Sequence, residues 1–275
     1  MTPHAPDGPA PAPILCDKHH DAPSVFRPES LLREARRQKD LPETPVPPLC
    51  VLDPDGDLVR HLRERGEARP DPRWACYHTE LDRFVAAEVE CGIIGRAVGA
   101  PFAVLVAEEL FAAGCRLLLS VTSAGQLVPV RPPPYFVVID RALRDEGTSY
   151  HYLPAAEYAE AEPGLVTTLL DAVVGAGIPA LRGGTWTTDA PFRETAAVIA
   201  ARRAAGLLAV EMEAAALYAF ARARRVPVLC VAHVTNQMGQ RGGDFEKGAA
   251  DGAEATLRLV SAVARWWREG RLERP

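Results

Sequence analysis

Continuous apolar runs alternate with segments of helical periodicity along most of this 275-residue chain. Short apolar runs are typical of strands buried on both faces of a sheet, and apolar residues three or four positions apart are typical of helices. The runs predict strands at 49–53, 115–121, 135–140, 181–187 and 226–234, with two more within 84–99. The periodic segments predict helices at 28–39, 58–65, 101–113, 162–176 and 245–269. This alternation predicts an α/β fold, a three-layer α/β/α sandwich with a mostly parallel, mixed central sheet.

The first 48 residues differ in composition from the rest of the chain. They contain 11 of the 25 prolines, and residues 1–13 form a low-complexity tail that we expect to be disordered or polyproline-like. A short basic helix at 28–39 follows, whose arginines either form a solvated face or contribute to a neighbouring subunit's site. We therefore predict an N-terminal extension over 1–48 and one catalytic domain over 49–275.

The most informative segment is 207–220, with the sequence LLAVEMEAAALYAF. Its first part predicts a buried strand, and its alanine-rich second part predicts a helix that is packed on most of its circumference. Glu211 and Glu213 lie at the junction. Carboxylates are costly to bury without a partner, and a sugar with two adjacent hydroxyls would be such a partner. The alternative is that both carboxylates are solvated at a helix start, where negative charge is favourable.

Composition argues against several classes of function. The net charge of −5 argues against nucleic-acid binding, which needs a basic surface. Because no apolar run is long enough to span a bilayer and no secretory signal is recognisable, we expect a cytoplasmic protein without membrane partners. The six scattered cysteines include no Cys-x-x-Cys pair and show no metal-ligand spacing with the histidines. We therefore expect free thiols and no metal site.

Four segments resemble signatures of the nucleoside phosphorylase and nucleosidase superfamily, and they follow one another along the chain in the same order as in that family. Residues 207–220 resemble its ribose-binding segment, 97–110 its Gly-x-Pro turn and following helix, 118–127 its small-residue anion-binding segment, and 183–195 its base site. The resemblance covers roughly residues 88–262 and is strongest to the uridine phosphorylase type. It implies a pentosyltransferase that acts on a nucleoside, with inorganic phosphate as co-substrate and no metal or organic cofactor.

The family assembles dimers into hexamers, in which a neighbouring subunit completes each site. The resemblance therefore implies a homo-oligomer, from dimer to hexamer. In the segment 73–80, RWACYHTE, His78 either supplies a contact to a neighbour or is a buried structural histidine.

The resemblance assigns phosphate to two segments. Gly56 and Arg60 match a phosphate-binding loop after the first strand, although the match is loose. Ser123, Ala124 and Gly125 match a loop after a buried strand, where small residues allow backbone N–H groups to approach an anion. An ordinary turn is the alternative for this second segment.

One position departs from the family pattern. Ser120 lies where uridine and bacterial purine phosphorylases carry an arginine, and loss of a guanidinium removes a strong phosphate contact. Nucleosidases of the superfamily lack that arginine and use water. Hydrolysis is therefore the main alternative to phosphorolysis, and a catalytically weakened member that binds a nucleoside is a further one.

The resemblance also assigns the sugar site. Glu213 would bind the 2′- and 3′-hydroxyls of the ribose and stabilise the positive charge that develops as the N-glycosidic bond breaks. Met212 would lie against the sugar face, and Glu211 would belong to the same segment and act on the site indirectly.

The base site combines aromatic, cationic and amide side chains. Trp186 and Phe192 would stack on the base, and the Arg193 guanidinium would bind a base carbonyl. Core packing of the two aromatic side chains and a surface ion pair between Arg193 and Glu194 are the alternatives. Asn236 takes the place of an aspartic acid that protonates the leaving base in purine-cleaving members. Since an amide is no proton donor of that kind, Asn236 favours a pyrimidine nucleoside.

Overall fold

The computed structural model describes residues 12–238 and 244–271, so most of the predicted tail at 1–13 lies outside the described residues. The strands are β1 (Leu49–Asp53), β2 (Ala68–Pro70), β3 (Asp82–Ala86), β4 (Val89–Gly95), β5 (Leu117–Gln126), β6 (Tyr135–Asp145), β7 (Tyr158–Glu160), β8 (Ala180–Thr188), β9 (Ala209–Glu211) and β10 (Val228–Asn236). The α-helices are α1 (Pro28–Lys39), α2 (Asp57–Glu64), α3 (Ala100–Ala112), α4 (Pro163–Gly175), α5 (Ala196–Ala204), α6 (Ala214–Arg224) and α7 (Ala253–Arg268).

The strands form one mixed sheet in the order β10-β6-β8-β9-β5-β1-β4-β3-β2, with β7 beside β6. Its central pairs are mostly parallel, whereas β6–β10, β5–β9, β6–β7 and the pairs at the β2 end are antiparallel. Because β5 also pairs with β10, the strands β5, β10, β6, β8 and β9 close into a ring. The helices pack in two groups, α1 with α3 and α6, and α2 with α7 and α4. The predicted α/β/α sandwich with a mixed sheet is confirmed, and the closure of five strands is a feature that the sequence did not indicate.

Strand β5 runs further than the sequence predicts. We expected a strand that ends at residue 121 and an anion-binding loop at 122–125, but residues 122–125 continue the strand. They do so because the end of β10, residues 232–236, pairs alongside them in parallel register. The loop prediction, and the alternative of an ordinary turn, are therefore wrong.

The other edge of β5 is interrupted. β1 pairs with β5 as far as Ser120, and β9 begins to pair with it at Gly125. Among the described residues no strand pairs with this edge between those two points. We call the interruption at 121–124 the β1–β9 gap. It lies where β1 ends and where β9 leads into α6, so loops from both converge on it.

The last helix begins later than predicted, at Ala253 instead of residue 245. Gly248 and Gly252 before it have φ values of 86° and 84°, and Asp251 also has a positive φ of 55°. Left-handed backbone cannot continue an α-helix, and glycine adopts it without a Cβ penalty. These two glycines therefore set the start of α7.

Helix α6 is buried throughout residues 214–220, which confirms the predicted packing on most of its circumference. Its alanines allow close approach to α3 and to strands β6, β8 and β10. The hydroxyl of Tyr218 donates to the carbonyl oxygen of Ile139 at 2.6 Å and so ties the helix to the sheet.

The N-terminal extension packs on the rest of the chain through α1, whose Leu32 and Ala35 are buried. Arg33 and Arg37 are exposed and pair with Glu34, so the interpretation as a solvated face is confirmed for these two arginines. Five of the cysteines are free, as expected, namely Cys50, Cys76, Cys91, Cys115 and Cys230. In the parts of the chain that the structure describes, no helix has both the length and the apolar character that a bilayer span requires.

Candidate active site

Glu213 is a buried carboxylate at the start of α6, only 2% exposed. Its Oε1 accepts a hydrogen bond from the N–H of Gly99 at 2.7 Å, and its Oε2 accepts one from the Thr122 hydroxyl at 2.9 Å. The N–H of half-buried Met212 also donates to Oε2, at 3.2 Å. Burial, and then the charge of Glu211, raises the pKa of Glu213 to about 7. The alternative of a solvated carboxylate at a helix start is therefore wrong.

Glu211 is also buried, but the protein satisfies it completely. Its Oε1 accepts hydrogen bonds from the hydroxyls of Thr185 and Thr187 at 3.0 and 2.6 Å, and its Oε2 accepts from the N–H groups of Glu213 and Ala214, both at 2.7 Å. Burial raises its pKa, against the effect of these donors. With two donors on each oxygen, Glu211 has no acceptor site left for a ligand. It anchors the turn from β9 into α6.

The β5 residues that were expected to bind phosphate lie beside the turn after β10. A Cβ atom on Gly125 would collide with the Met238 sulfur, so a larger residue here would require the Met238 side chain to move. Asn236 orders the same turn, because its Oδ1 accepts from the N–H of Met238 at 2.9 Å. Its Nδ2 is 3.4 Å from the carbonyl oxygen of Ala124. Ser123, Ala124, Gly125 and Asn236 are thus brought together at one end of the β1–β9 gap.

Gly56 and Arg60 follow β1 at the other side of the gap. The Arg60 guanidinium, 41% exposed, pairs with Asp57 at 2.9 Å and with Asp251 at 2.7 Å, so these carboxylates compete with phosphate for it and its assignment to phosphate stays a prediction. A Cβ atom on Gly56, which has a φ of 78°, would lie 2.9 Å from Cγ of Arg96. Arg96 is exposed, and no carboxylate among the described residues pairs with it. It is therefore the unpaired cation beside Gly56.

His233 on β10 is a neighbour of the gap that the sequence did not indicate. It is the register partner of Ser123, and its ring stacks on Phe136 with centroids 4.4 Å apart. Burial lowers the pKa of His233 to about 4, so the imidazole is neutral near pH 7. Within the described part of the chain its buried Nε2 has no hydrogen-bond partner, and neither has the buried hydroxyl of Ser120 on β5.

The expected base-binding residues have different environments. Trp186 is 2% exposed within a small apolar cluster, and its Nε1 donates to Asp145 at 2.9 Å. The protein therefore covers this ring, so the expectation that Trp186 stacks on a base is wrong and the core-packing alternative applies. Phe192 is 99% exposed, which excludes core packing for it. Arg193 is also exposed and forms no ion pair with Glu194, contrary to the alternative for that residue.

The family model described as the phosphorylase superfamily matches residues 48–265. The chain belongs to the phosphorylase superfamily. The match begins just before β1 and ends within α7, so it contains every residue that surrounds the β1–β9 gap. The resemblance inferred from four short segments, and the enzyme class that it implied, are thereby confirmed.

Two phosphorylases are similar to this chain over most of their own length. A guanosine phosphorylase of Halorubrum lacusprofundi is 28% identical over 175 residues, which are 61% of this chain and 73% of that protein. A uridine phosphorylase of Thermococcus kodakarensis is 26% identical over 237 residues, which are 75% of this chain and 84% of that protein. One acts on a purine nucleoside and the other on a pyrimidine nucleoside, so similarity alone leaves the base unassigned.

Solved structures of the superfamily share the fold at lower identity. A purine nucleoside phosphorylase of Toxoplasma gondii in complex with immucillin-H has a TM-score of 0.69 at 19% identity, over 82% of this chain and 93% of its own. An AMP nucleosidase of Bacteroides thetaiotaomicron has a TM-score of 0.67 at 17% identity, over 89% of this chain and 100% of its own. At such identities the likeness shows the fold alone.

The sequence indicated some residues around Glu213 only in part. Thr122 was expected in the anion-binding loop and Gly99 in the Gly-x-Pro turn, but their contact with Glu213 was not indicated. Arg96 carried no local signal. It comes beside Gly56 because β4, which precedes it, pairs with β1, which precedes Gly56.

Proposed function

We propose that this enzyme cleaves the N-glycosidic bond of a pyrimidine nucleoside by phosphorolysis and so produces ribose 1-phosphate and a free base. The observation that carries the proposal is the buried carboxylate of Glu213, which Gly99 and Thr122 hold at the β1–β9 gap. A nearly inaccessible carboxylate with a pKa raised to about 7 is typical of a functional group and costly as a purely structural one.

The sugar is bound by the remaining acceptor capacity of Glu213. An ionised carboxylate has about four lone-pair sites, and three protein donors contact this one. A ribose hydroxyl takes the remaining site. As the bond to the base breaks, positive charge develops at C1′ and the ring oxygen, and a fixed carboxylate in a water-excluded site stabilises that charge.

The phosphate is bound on the opposite side of the gap. Arg96 supplies an unpaired guanidinium beside Gly56, and Ser123 supplies a hydroxyl without a partner among the described residues. A guanidinium binds phosphate through charge-assisted, bidentate hydrogen bonds. Arg96 can therefore replace the arginine that is missing at Ser120. Phosphate oxygen attacks C1′, the C1′–N bond breaks, and the base leaves with the bonding electrons.

The base is recognised by the turn after β10. The Asn236 amide nitrogen donates to the carbonyl oxygen of Ala124 and to the hydroxyl of Thr235, both at a long 3.4 Å, so a base carbonyl can compete for its N–H groups. Such a donor stabilises negative charge on a pyrimidine carbonyl but cannot protonate a purine nitrogen. Phe192 and Arg193 are exposed after β8 and are free to contact the base from outside.

Hydrolysis is the second candidate, because the observed environment of Ser120 favours it. That residue is 1% exposed and carries no charge, so the strand position that bears an arginine in phosphorylases contributes none here. Water would then attack C1′ and free ribose would be the sugar product.

Product analysis separates these reactions. Purified protein is incubated with uridine, with and without inorganic phosphate, and base, ribose and ribose 1-phosphate are quantified by chromatography. Phosphate-dependent base release with ribose 1-phosphate as product is the expected result. Free ribose at an unchanged rate without phosphate would replace phosphorolysis by hydrolysis. Tight nucleoside binding by calorimetry without any base release would indicate the catalytically weakened member.

Glu213→Gln protein, purified in the same way as the wild type, is the control, since a contaminating phosphorylase from the expression host would be equally active in both samples.

We also propose a homo-oligomer, from dimer to hexamer. Light scattering coupled to size-exclusion chromatography tests it, and a mass close to 29.7 kDa would contradict it.

A further inference from the structure

Three side chains of metal-binding types converge beside helix α3, away from the nucleoside site. They are Cys76 and His78, from the loop between β2 and β3, and Glu109, from α3. Their potential ligand atoms all lie within 4.8 Å of one another. Nδ1 of His78 is 3.9 Å from Sγ of Cys76 and 4.0 Å from Oε1 of Glu109. Gly99, which contacts Glu213, precedes Glu109 by ten residues. Ten residues of helix span about 15 Å, so the length of α3 separates this cluster from the nucleoside site.

Glu109 is the residue that requires an explanation. It is 1% exposed, and among the described residues neither of its carboxylate oxygens has a hydrogen-bond partner at normal distance, although the Cys76 thiol and the His78 ring lie beside it. A buried carboxylate without donors is unfavourable unless a cation or a proton compensates it. The nearest ammonium group, that of Lys39, is directed instead to the carbonyl oxygens of Ala75 and Cys76 at 3.1 and 2.7 Å.

The geometry distinguishes a metal site from a catalytic triad. In a Cys-His-Glu triad the thiol and the carboxylate contact opposite nitrogens of the imidazole. Here Cys76 and Glu109 both approach the same nitrogen of His78, Nδ1. The three potential ligand atoms therefore surround one position that a metal ion could occupy. A sulfur, a nitrogen and an oxygen donor around one point match the ligand set that zinc accepts.

The cysteine is already oriented for this role. Its Sγ accepts hydrogen bonds from the N–H of His78 and from the hydroxyl of Thr79, both at 3.3 Å. The Thr79 hydroxyl accepts in turn from Nε1 of Trp74 at 3.0 Å. Donors of this kind stabilise a thiolate and fix its direction, as outer partners of metal ligands do.

We propose that Cys76, His78 and Glu109 bind a zinc ion, with a fourth position open to solvent on the side of His78. Ligand atoms around tetrahedral zinc lie about 3.4–3.6 Å apart, given zinc-to-ligand distances of about 2.0–2.3 Å. The observed separations from Nδ1 of His78 exceed this by less than an ångström, and rotation of its side chain, 46% exposed, closes the difference. The ion joins the loop at 71–81 to α3, the helix whose other end contacts Glu213.

The test uses full-length protein without an affinity tag, stripped of metal and titrated with Zn²⁺ alone and with Co²⁺ alone. We expect one equivalent of either ion and a thiolate-to-cobalt charge-transfer band. We also expect a higher thermal midpoint with Zn²⁺. Because His78 is exposed, His78→Ala should fold normally while it weakens zinc binding at least about a hundredfold.

Two matched controls identify the site. His19→Ala removes an exposed histidine of the N-terminal extension, and Cys16→Ser removes a thiol outside the cluster. Both should retain wild-type zinc affinity. Substoichiometric binding by the wild type, unchanged affinity in His78→Ala, loss of binding in His19→Ala, or a cobalt spectrum without the thiolate band would each overturn the proposal.

Discussion

Glu211 and Glu213 are two residues apart, have the same side chain and are both buried, yet they have different hydrogen-bond environments. Both oxygens of Glu211 have two protein donors each. Glu213 has three donors in all and keeps acceptor capacity for a ligand. At the scale of residues, the roles that we propose for these two carboxylates therefore follow from the number of unused acceptor sites and not from burial or residue type.

The substitution Glu213→Gln should lower nucleoside turnover at least about a hundredfold, because removal of one fixed electrostatic contact to the transition state typically has this effect. Steady-state assays measure the turnover, and circular dichroism verifies the fold. Glu43→Gln, at an exposed carboxylate, is the matched control and should leave the turnover unchanged. Near wild-type turnover in Glu213→Gln would remove this residue from the site.

The raised pKa of Glu213 predicts opposite pH dependences of activity and stability. Since in the proposed reaction the ionised form stabilises the transition state, kcat/KM should rise with pH through about 7. The folded protein binds this proton more tightly than the unfolded chain does. The resulting stabilisation is therefore complete below pH 4.5 and is lost as pH rises through about 7.

Inorganic phosphate also titrates near neutrality, so rates alone do not identify the group. Carbon-13 NMR of labelled glutamate carboxyl groups follows each group separately. The resonance that disappears in Glu213→Gln belongs to Glu213, and its pH titration gives the pKa of that carboxyl. A midpoint near the ordinary glutamate value would contradict the assignment.

The two arginines near Gly56 should respond differently to substitution. Arg96→Gln removes an unpaired guanidinium and should raise the KM for phosphate about tenfold or more, since hydrogen bonds to charged groups contribute roughly 1.5–3 kcal/mol. Arg60→Gln removes a guanidinium that Asp57 and Asp251 already engage, and should change this KM much less. If both substitutions raise the KM for phosphate equally, or if Arg60→Gln raises it more, Arg60 contacts the phosphate.

At the scale of elements, the turn from β9 into α6 depends on side chains of β8. Thr187 donates to Glu211 and accepts from the N–H of Ala215 at 2.9 Å, and Thr185 on the same strand also donates to Glu211. Strand β8 therefore fixes the start of the helix on which Glu213 lies. Loss of this support would displace the carboxylate without any change in the residues that contact substrate.

Thr187→Val should lower the free energy of unfolding by about 1–3 kcal/mol, because it leaves buried polar groups of Glu211 and Ala215 without one partner. Chemical denaturation measures this change. Thr167→Val is the control, since its exposed hydroxyl donates to the carbonyl oxygen of Pro163, and the effect there should stay within about 0.5 kcal/mol. A similar cost at both positions would indicate a general effect of losing a hydroxyl.

The sequence predicts elements well where apolar periodicity alone decides them. β1 was predicted with its observed bounds, and α1 likewise, because apolar pattern and flanking residues agree at both. Strand β5 and helix α7 differ from prediction for non-local reasons. Pairing with β10 extends β5, whereas left-handed backbone around Gly248 and Gly252 delays α7.

The site was predictable to the extent that its residues lie in signature segments. Glu213 was identified in this way, whereas Arg96 and His233 are brought to the site by strand pairing. His78 was expected to be buried if structural, but 46% of its side chain is exposed, so that interpretation is wrong. The expectation of no metal site relied on spacing between cysteines and histidines. That criterion misses Glu109, which α3 brings to Cys76 and His78 across the fold.

At the scale of the whole molecule, the identity of the base remains the sharpest prediction. Uridine should have a higher kcat/KM than inosine, because Asn236 offers hydrogen bonds to a carbonyl and no proton. Asn236→Asp should raise the activity on inosine, provided that the acid reaches the purine nitrogen. Parallel assays of both nucleosides with both proteins measure this, and faster cleavage of inosine by the wild type would refute the pyrimidine assignment.

The β1–β9 gap divides the sheet into two parts that meet along β5. Among the described strands, β1, β4, β3 and β2 join the closed ring through β5 alone, and the loops that follow β1 and β4 carry Gly56 and Arg96. Glu213 belongs to the other part. A nucleoside together with phosphate would bridge the two parts. The ligand that binds first would hold the two parts in place, so the second would lose less conformational entropy on binding. The enzyme should therefore bind its two substrates cooperatively, and amide hydrogen exchange at 121–124 should slow most when both are present.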